Sequence, residues 1–219
     1  MIAPLGALDD DLRAVLLRRV DELIAYQDQR YASRYLDYIA AVHVAENRLG
    51  STRLTMAAAQ YLFKLMAYKD EYEVARLTGD ERFAAGVADQ FGDDASVAIR
   101  LHPPALRSMG MRNKISLGEW VRPGMSGLAR MKRLRGTRLD PFGRAEVRRT
   151  ERDLVVEYRA VLAALVTALR SGALGAEKLD AAVAVAELPD MVRGYEGIKM
   201  ANVARYREEL ATRRAELGL

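Results

Sequence analysis

An all-α fold, a single multi-helix domain over residues 1–219, is predicted by three features of the sequence. Apolar side chains recur at three- and four-residue spacing through most of the chain. Acidic or hydroxyl residues precede these segments, and glycines close them. β-Branched, extended character is confined to Ser96–Leu101, so at most one very short β segment is expected.

The elements follow in order. Asp9-Asp10-Asp11 marks a helix start, because acids are favourable at the positive end of the helix dipole. Leu12, Val15, Leu16, Leu23 and Tyr26 continue one face, and Tyr31, Tyr35, Tyr38 and Val42 prolong it, with a break expected near Gln27–Arg30. Gly50-Ser51 closes this region, and Ser51 or Thr52 is placed to cap the next helix. Leu54 to Leu77 reads as one continuous helix ended by Gly79-Asp80, followed by a short helix from Glu81 to Gln90. His102-Pro103-Pro104 forces extended chain, and from there to Pro123 a long Pro/Gly-containing loop is expected. A short basic helix, Met125 to Leu134, leads into the turn-rich stretch Arg135 to Gly143. A long amphipathic helix is then predicted from Glu146 to Arg170, and further helices from Ala176 to Leu188 and from Ile198 to Leu217.

The chemistry concentrates in Tyr61 to Leu77. At 100° per residue, Leu62, Phe63, Met66, Ala67, Val74 and Leu77 form one apolar stripe, with Asp70 projecting from its middle. Tyr61, Leu65, Tyr68 and Tyr72 form a second stripe opposite, a face for core packing or for a partner. A carboxylate in an apolar seam needs a cationic companion. Arg135 and Arg193, each before a glycine, are the two candidates. Lys69-Asp70-Glu71-Tyr72, Glu151-Arg152, and Arg193-Gly194-Tyr195 with Lys199 are the charged clusters that stand out. Lys69 and Glu73 are spaced for an i,i+4 ion pair. None of these clusters forms a nucleophile–base–orienter triad, a P-loop or a GxGxxG fingerprint.

The chain holds no cysteine and two histidines, His43 and His102. Disulfides, thiolate-held zinc and iron–sulfur clusters on its own thiolates are therefore excluded. Both histidines lack a second ligand at metal spacing, so no metal site is expected. No apolar run reaches the roughly 20 residues needed to span a bilayer. Met1 to Gly6 lacks the basic and apolar regions of a signal peptide, and a cytoplasmic protein is expected. From Arg122 to Arg152, ten Lys/Arg stand against three acids, a local +7, while the remainder carries 24 basic and 27 acidic residues, or −3. Such a region suits an acidic protein surface, a phosphorylated ligand or nucleic acid. Only Phe142 interrupts the basic stretch as an aromatic, so the stacking platform of a single-strand binder is lacking.

Several strings together resemble one family. Tyr26-Gln27-Asp28 with Tyr31-Ala32-Ser33-Arg34-Tyr35 is similar to its first helix. Leu62 to Leu77 resembles its most distinctive stretch. Leu134-Arg135-Gly136-Thr137 with Leu139-Asp140-Pro141-Phe142-Gly143 resembles its central turn. Glu151-Arg152, then Leu188-Pro189, Arg193-Gly194-Tyr195 and Lys199 with Asn202 follow in the same order. The family is the C-terminal region of indolepyruvate ferredoxin oxidoreductases, and the likeness spans roughly Leu12 to Arg205. Gly118-Glu119-Trp120 and Glu196-Gly197 depart from its usual Gly-Pro-Trp and Gly-His, and Arg100-Leu101-His102-Pro103-Pro104 from its His-Leu-Ala-Pro-Pro.

The resemblance implies a parent enzyme that oxidatively decarboxylates aryl pyruvates to acyl-coenzyme A, with ferredoxin as electron acceptor. Thiamine diphosphate, magnesium and iron–sulfur clusters would bind its other domains, and no cofactor is expected in this chain. The expected role is an accessory domain docked on the catalytic domains or subunits, with a second copy of the chain as a further partner. The ligand and interface candidates are Tyr68, Lys69, Asp70, Glu71, Tyr72, Arg135, Asp140, Arg193, Tyr195 and Lys199. Two other readings compete with it. One is an independent module in which Arg135, Arg193 and Lys199 gather around a carboxylate or coenzyme A phosphate, ordered by Asp70. The other is a basic helical domain that binds nucleic acid.

Overall fold

A computed structural model describes residues 8–80, 85–86, 89–92, 99–101, 115–117 and 122–219. The fold is all-α, with α1 (Asp10–Tyr26), α2 (Gln29–Glu46), α3 (Arg53–Met66), α4 (Glu71–Thr78), α5 (Arg122–Arg130), α6 (Glu146–Ser171), α7 (Leu179–Glu187) and α8 (Glu196–Leu217). Two three-residue strands, β1 (Ile99–Leu101) and β2 (Ile115–Leu117), pair antiparallel with Arg100 opposite Ser116. The short extended segment expected within Ser96–Leu101 is thus present, and its partner strand lies inside the stretch read as a plain loop. The rest of that loop, 102–114 and 118–121, lies outside the described residues, as does most of the expected Glu81–Gln90 helix.

The chain forms two compact units, one made of Met1–Ala67 with Glu151–Leu219, the other of Tyr68–Thr150. In the first unit, α1, α2 and α3 pack on one another, α3 also packs on α7, and α7 on α8. Asp9 accepts a hydrogen bond from the Leu12 amide at 2.7 Å, and Asp28 accepts one from Tyr31 at the same distance. These two caps open α1 and α2 and place the break where the sequence predicts it. Leu12, Leu16, Leu23, Ile39, Leu54 and Leu62 are fully buried in the shared core. The apolar side of α6 joins them through Leu154, Tyr158, Leu162 and Leu165.

Of the two expected cap residues, Ser51 accepts a hydrogen bond from the amide of Arg53, the first residue of α3, at 3.2 Å. Thr52 occupies the N-cap position but its side chain makes no capping bond. The next donors, which are buried, are taken by Glu46, which lies at the end of α2 and is fully buried. Its carboxylate accepts from the Leu54 and Thr55 amides at 2.8 and 2.7 Å and from the Thr55 hydroxyl at 2.7 Å. Gly50, at φ 64°, turns the chain so that α2 ends beside the start of α3. A carboxylate at a helix N-terminus meets both the orphan amides and the positive end of the dipole.

Two buried phenols tie helices of this unit together. Tyr35 donates to the Ala59 carbonyl at 2.9 Å, and Tyr158 donates to the Ala186 carbonyl at 2.7 Å. Burial raises both hydroxyl pKa values from the ordinary 10.0, because a phenolate would be stranded in an apolar interior. Below pH 10 both phenols are protonated in folded and unfolded chains alike, so this contribution is fully present. As pH rises past 10.0, the unfolded chain releases protons that the folded chain retains. Stability of the first unit is therefore expected to fall steadily above that pH. Circular dichroism melts from neutral to strongly alkaline pH check this, and Tyr35→Phe with Tyr158→Phe should flatten the alkaline decline.

Candidate functional site

The expected single helix from Leu54 to Leu77 is interrupted. Helix α3 ends at Met66, whose carbonyl accepts from the Tyr31 hydroxyl at 2.9 Å. Asp70 has extended backbone, φ −104° and ψ −175°, and is the N-cap of α4. Its Oδ1 accepts the Glu73 amide at 2.8 Å. A wheel drawn continuously through Tyr61–Leu77 therefore does not apply, and the two facing stripes dissolve. The apolar period runs across the interruption, but the pattern Asp70-x-x-Glu73 is a helix-start signature. It was the sequence signal for the break.

Asp70 is nonetheless buried, and its cationic companion is Arg135 rather than Arg193. The Arg135 side chain is 6% exposed and that of Asp70 4%. The guanidinium binds the carboxylate through two bonds, Nη2 to Oδ1 at 2.8 Å and Nε to Oδ2 at 2.5 Å. This fork geometry suits arginine and not lysine. Arg135 also lies over the Tyr72 ring, with its Cζ 5.5 Å from the centroid.

Tyr72 extends the network into the turn after α5. Its hydroxyl donates to Asp140 Oδ1 at 3.0 Å, and its ring meets Phe142 edge-on at 5.4 Å between centroids. Burial raises the Tyr72 pKa, and the hydrogen bond to Asp140 raises it further, so the hydroxyl stays a donor. Asp140 also accepts the Phe142 amide at 3.1 Å and the Gly136 amide at 2.8 Å. Gly136 stands at φ 72°, where a side chain would be strained. Gly143 is required for a different reason. A Cβ there would come within 2.6 Å of Asp140 Oδ2. Gly143→Ala is expected to displace Asp140 and destabilise the second unit by about 1–3 kcal/mol, which hydrogen exchange of the α4 amides in urea would register.

Around this centre, Arg148 pairs with Glu71 at 3.3 Å, donates to the Lys69 carbonyl at 3.1 Å, and lies 5.9 Å from the Tyr68 ring centroid. Tyr68 and Tyr72 are buried, as is Tyr61 in the first unit, so their role is packing and not an open aromatic face. The expected pairing of Lys69 with Glu73 does not form. Lys69 precedes the first turn of α4, and Glu73 is held by Arg76 through bonds of 2.9 and 2.7 Å.

Seven of the ten candidates thus fall in the second unit: Tyr68, Lys69, Asp70, Glu71, Tyr72, Arg135 and Asp140. Arg193, Tyr195 and Lys199 belong to the first. Arg193 binds Asp190 at 2.6 Å on the surface, and Tyr195 is exposed. Lys199 is bonded to the buried carboxylate of Glu151. Sequence reasoning missed Phe142, Gly143, Arg148 and Lys64, which donates to the Pro189 carbonyl at 2.9 Å. Their partners are more than 60 residues away or require a turn geometry that periodicity does not encode.

The carboxylates of Asp70 and Asp140 are occupied as hydrogen-bond acceptors and Arg135 is neutralised, while Glu71 keeps its ion pair with Arg148 but accepts no hydrogen bond on its buried oxygens among the described residues. The chemistry of the site is that of a lock joining the start of α4 to the Arg135–Gly143 turn. Among the described residues, no three His, Cys, Asp or Glu side chains gather to hold a metal ion, and no helix is long and apolar enough to cross a membrane. The fold is all-α, and its second unit is built around a buried arginine–carboxylate joint. The chain belongs to the family of unknown function DUF6537, which matches residues 12–212. No curated protein and no solved structure matches it.

Proposed function

We propose that the chain is an accessory, non-catalytic helical domain of a cytoplasmic indolepyruvate-type 2-oxoacid:ferredoxin oxidoreductase. Its work there is to dock on the catalytic domains and shield a reactive thiamine-bound intermediate from water. Thiamine diphosphate, magnesium and iron–sulfur clusters belong, in this reading, to those other domains. The resemblance of the ordered strings from Leu12 to Arg205 supports the parentage.

One observation supports the accessory role above others. The residues that carry the resemblance, Asp70, Arg135 and Asp140, spend their polar atoms on one another and on nearby backbone. Arg193 and Lys199 each have a carboxylate of their own. An anion-binding module would need cations available to a ligand, and these three are already engaged.

Affinity purification of the tagged chain from its native cell tests the proposal. A partner carrying thiamine diphosphate and iron–sulfur clusters is expected, identified by mass spectrometry and by its visible absorbance. Recovery of the chain alone, with adjoining reading frames that encode no such protein, would overturn the parentage. Calorimetric titration with coenzyme A and with aryl pyruvates is expected to give no heat at millimolar ligand. Saturable heat would instead favour the anion-binding module.

A further inference from the structure

The end of α5, the turn that follows it and the start of α6 carry an unusual surface. Arg130, Arg133, Arg138, Arg144 and Arg149 are all exposed. None of the five forms an ion pair among the described residues, whereas Arg76, Arg135 and Arg148 of the same unit do. Glu146 is the exposed acid within this stretch. At the apex of the turn, beside Arg138, Leu139 is 77% exposed. The turn that displays it is held by Asp140, which binds the Gly136 and Phe142 amides and the Tyr72 hydroxyl.

We propose that this turn is a docking surface for an acidic protein surface, with the arginines binding carboxylates and Leu139 as the apolar anchor. Arginine presents a planar fork matched to carboxylates, and five such groups with no ion-pair partner among the described residues give a field that attracts an acidic partner. A turn fixed by a buried network loses little freedom on binding, which raises affinity for a given contact area. A leucine projecting from a fixed turn gains nothing from water or phosphate but is stabilised by burial against an apolar spot between acidic side chains. Nucleic acid is disfavoured on the same grounds. The aromatic side chain of the turn, Phe142, packs against Tyr72 rather than offering itself to a base.

This surface is one that the docking role proposed above would use, but its evidence is independent of the parent reaction. Its test uses synthetic probes, so either reading can fail alone. Fluorescence anisotropy of the full chain is measured against three labelled probes of equal net charge. These are a helical peptide with a leucine stripe flanked by glutamates, a glutamate-only peptide, and duplex DNA. The leucine-bearing peptide is expected to bind saturably and more tightly than the other two. Leu139→Ser should weaken that peptide about five-fold or more and leave the glutamate-only peptide unchanged. Arg138→Glu combined with Arg144→Glu should abolish binding of both peptides. Should Leu139→Ser disturb the thermal melt, Leu139→Thr carries the same comparison. Equal binding of the two peptides, tighter binding of DNA, or no saturable peptide binding would overturn the proposal.

Discussion

Replacing Asp70 by alanine is expected to destabilise the second unit by about 3–5 kcal/mol, because it strands the Arg135 guanidinium without its counter-charge. Both side chains are nearly excluded from solvent, so water cannot substitute for the lost carboxylate. The change also removes the N-cap of α4, a loss of about 1 kcal/mol. Asparagine separates the two effects. Asp70→Asn keeps an oxygen for the Glu73 amide but loses the charge, so it should recover only about the 1 kcal/mol of the cap. The double variant Asp70→Asn with Arg135→Met should be more stable than Asp70→Asn alone, since the stranded charge is gone. Urea unfolding followed by hydrogen exchange of the α4 amides would resolve the second unit from the first. Equal stability of Asp70→Ala and the unmodified chain would show that the pair contributes nothing.

The second large effect lies at Glu46. Alanine there leaves two amides and one hydroxyl of the α3 start without acceptor in a dry interior. Each hydrogen bond to a charged group is worth about 1.5–3 kcal/mol, and the losses overlap, so about 3 kcal/mol is expected for Glu46→Ala. Glu46→Gln retains one acceptor oxygen and places an NH2 group against a donor. It should fall between the two, at about 1–2 kcal/mol. The measurement is the thermal midpoint of the first unit by circular dichroism. Exposed Asp180, which pairs with Arg53 on the surface, is the control. Asp180→Ala should shift the midpoint little, since exposed ion pairs contribute about 0–1 kcal/mol.

Much of the helical frame was legible because its punctuation is local. Asp9 and Asp28 lie three residues before the amides they cap, and Gly172, at φ 79°, follows the end of α6. The need of Asp70 for a cation also followed from the sequence, and the choice was narrowed to two arginines. Which arginine, and why the aspartate is buried, depended on the break after Met66. The apolar spacing of Leu62, Met66 and Val74 continues across it as though the helix were unbroken. The competing cap signature is only two residues strong. Glu46 was out of reach for another reason. It caps amides eight and nine residues further on, a distance that becomes short only once Gly50 reverses the chain. The tyrosines, read as a face for core packing or for a partner, are buried, although the wheel that aligned them spans two helices and not one.

The buried Asp70–Arg135 pair, which makes the motif residues a lock and not a ligand site, can be observed directly. The Arg135 Nε–H is followed by nitrogen-resolved NMR at neutral pH, with exposed Arg138 as the internal reference. A resonance protected from solvent exchange, and lost in Asp70→Asn, is the expected result. Exchange as fast as that of Arg138, unchanged by Asp70→Asn, would contradict the buried pair and the structural role drawn from it.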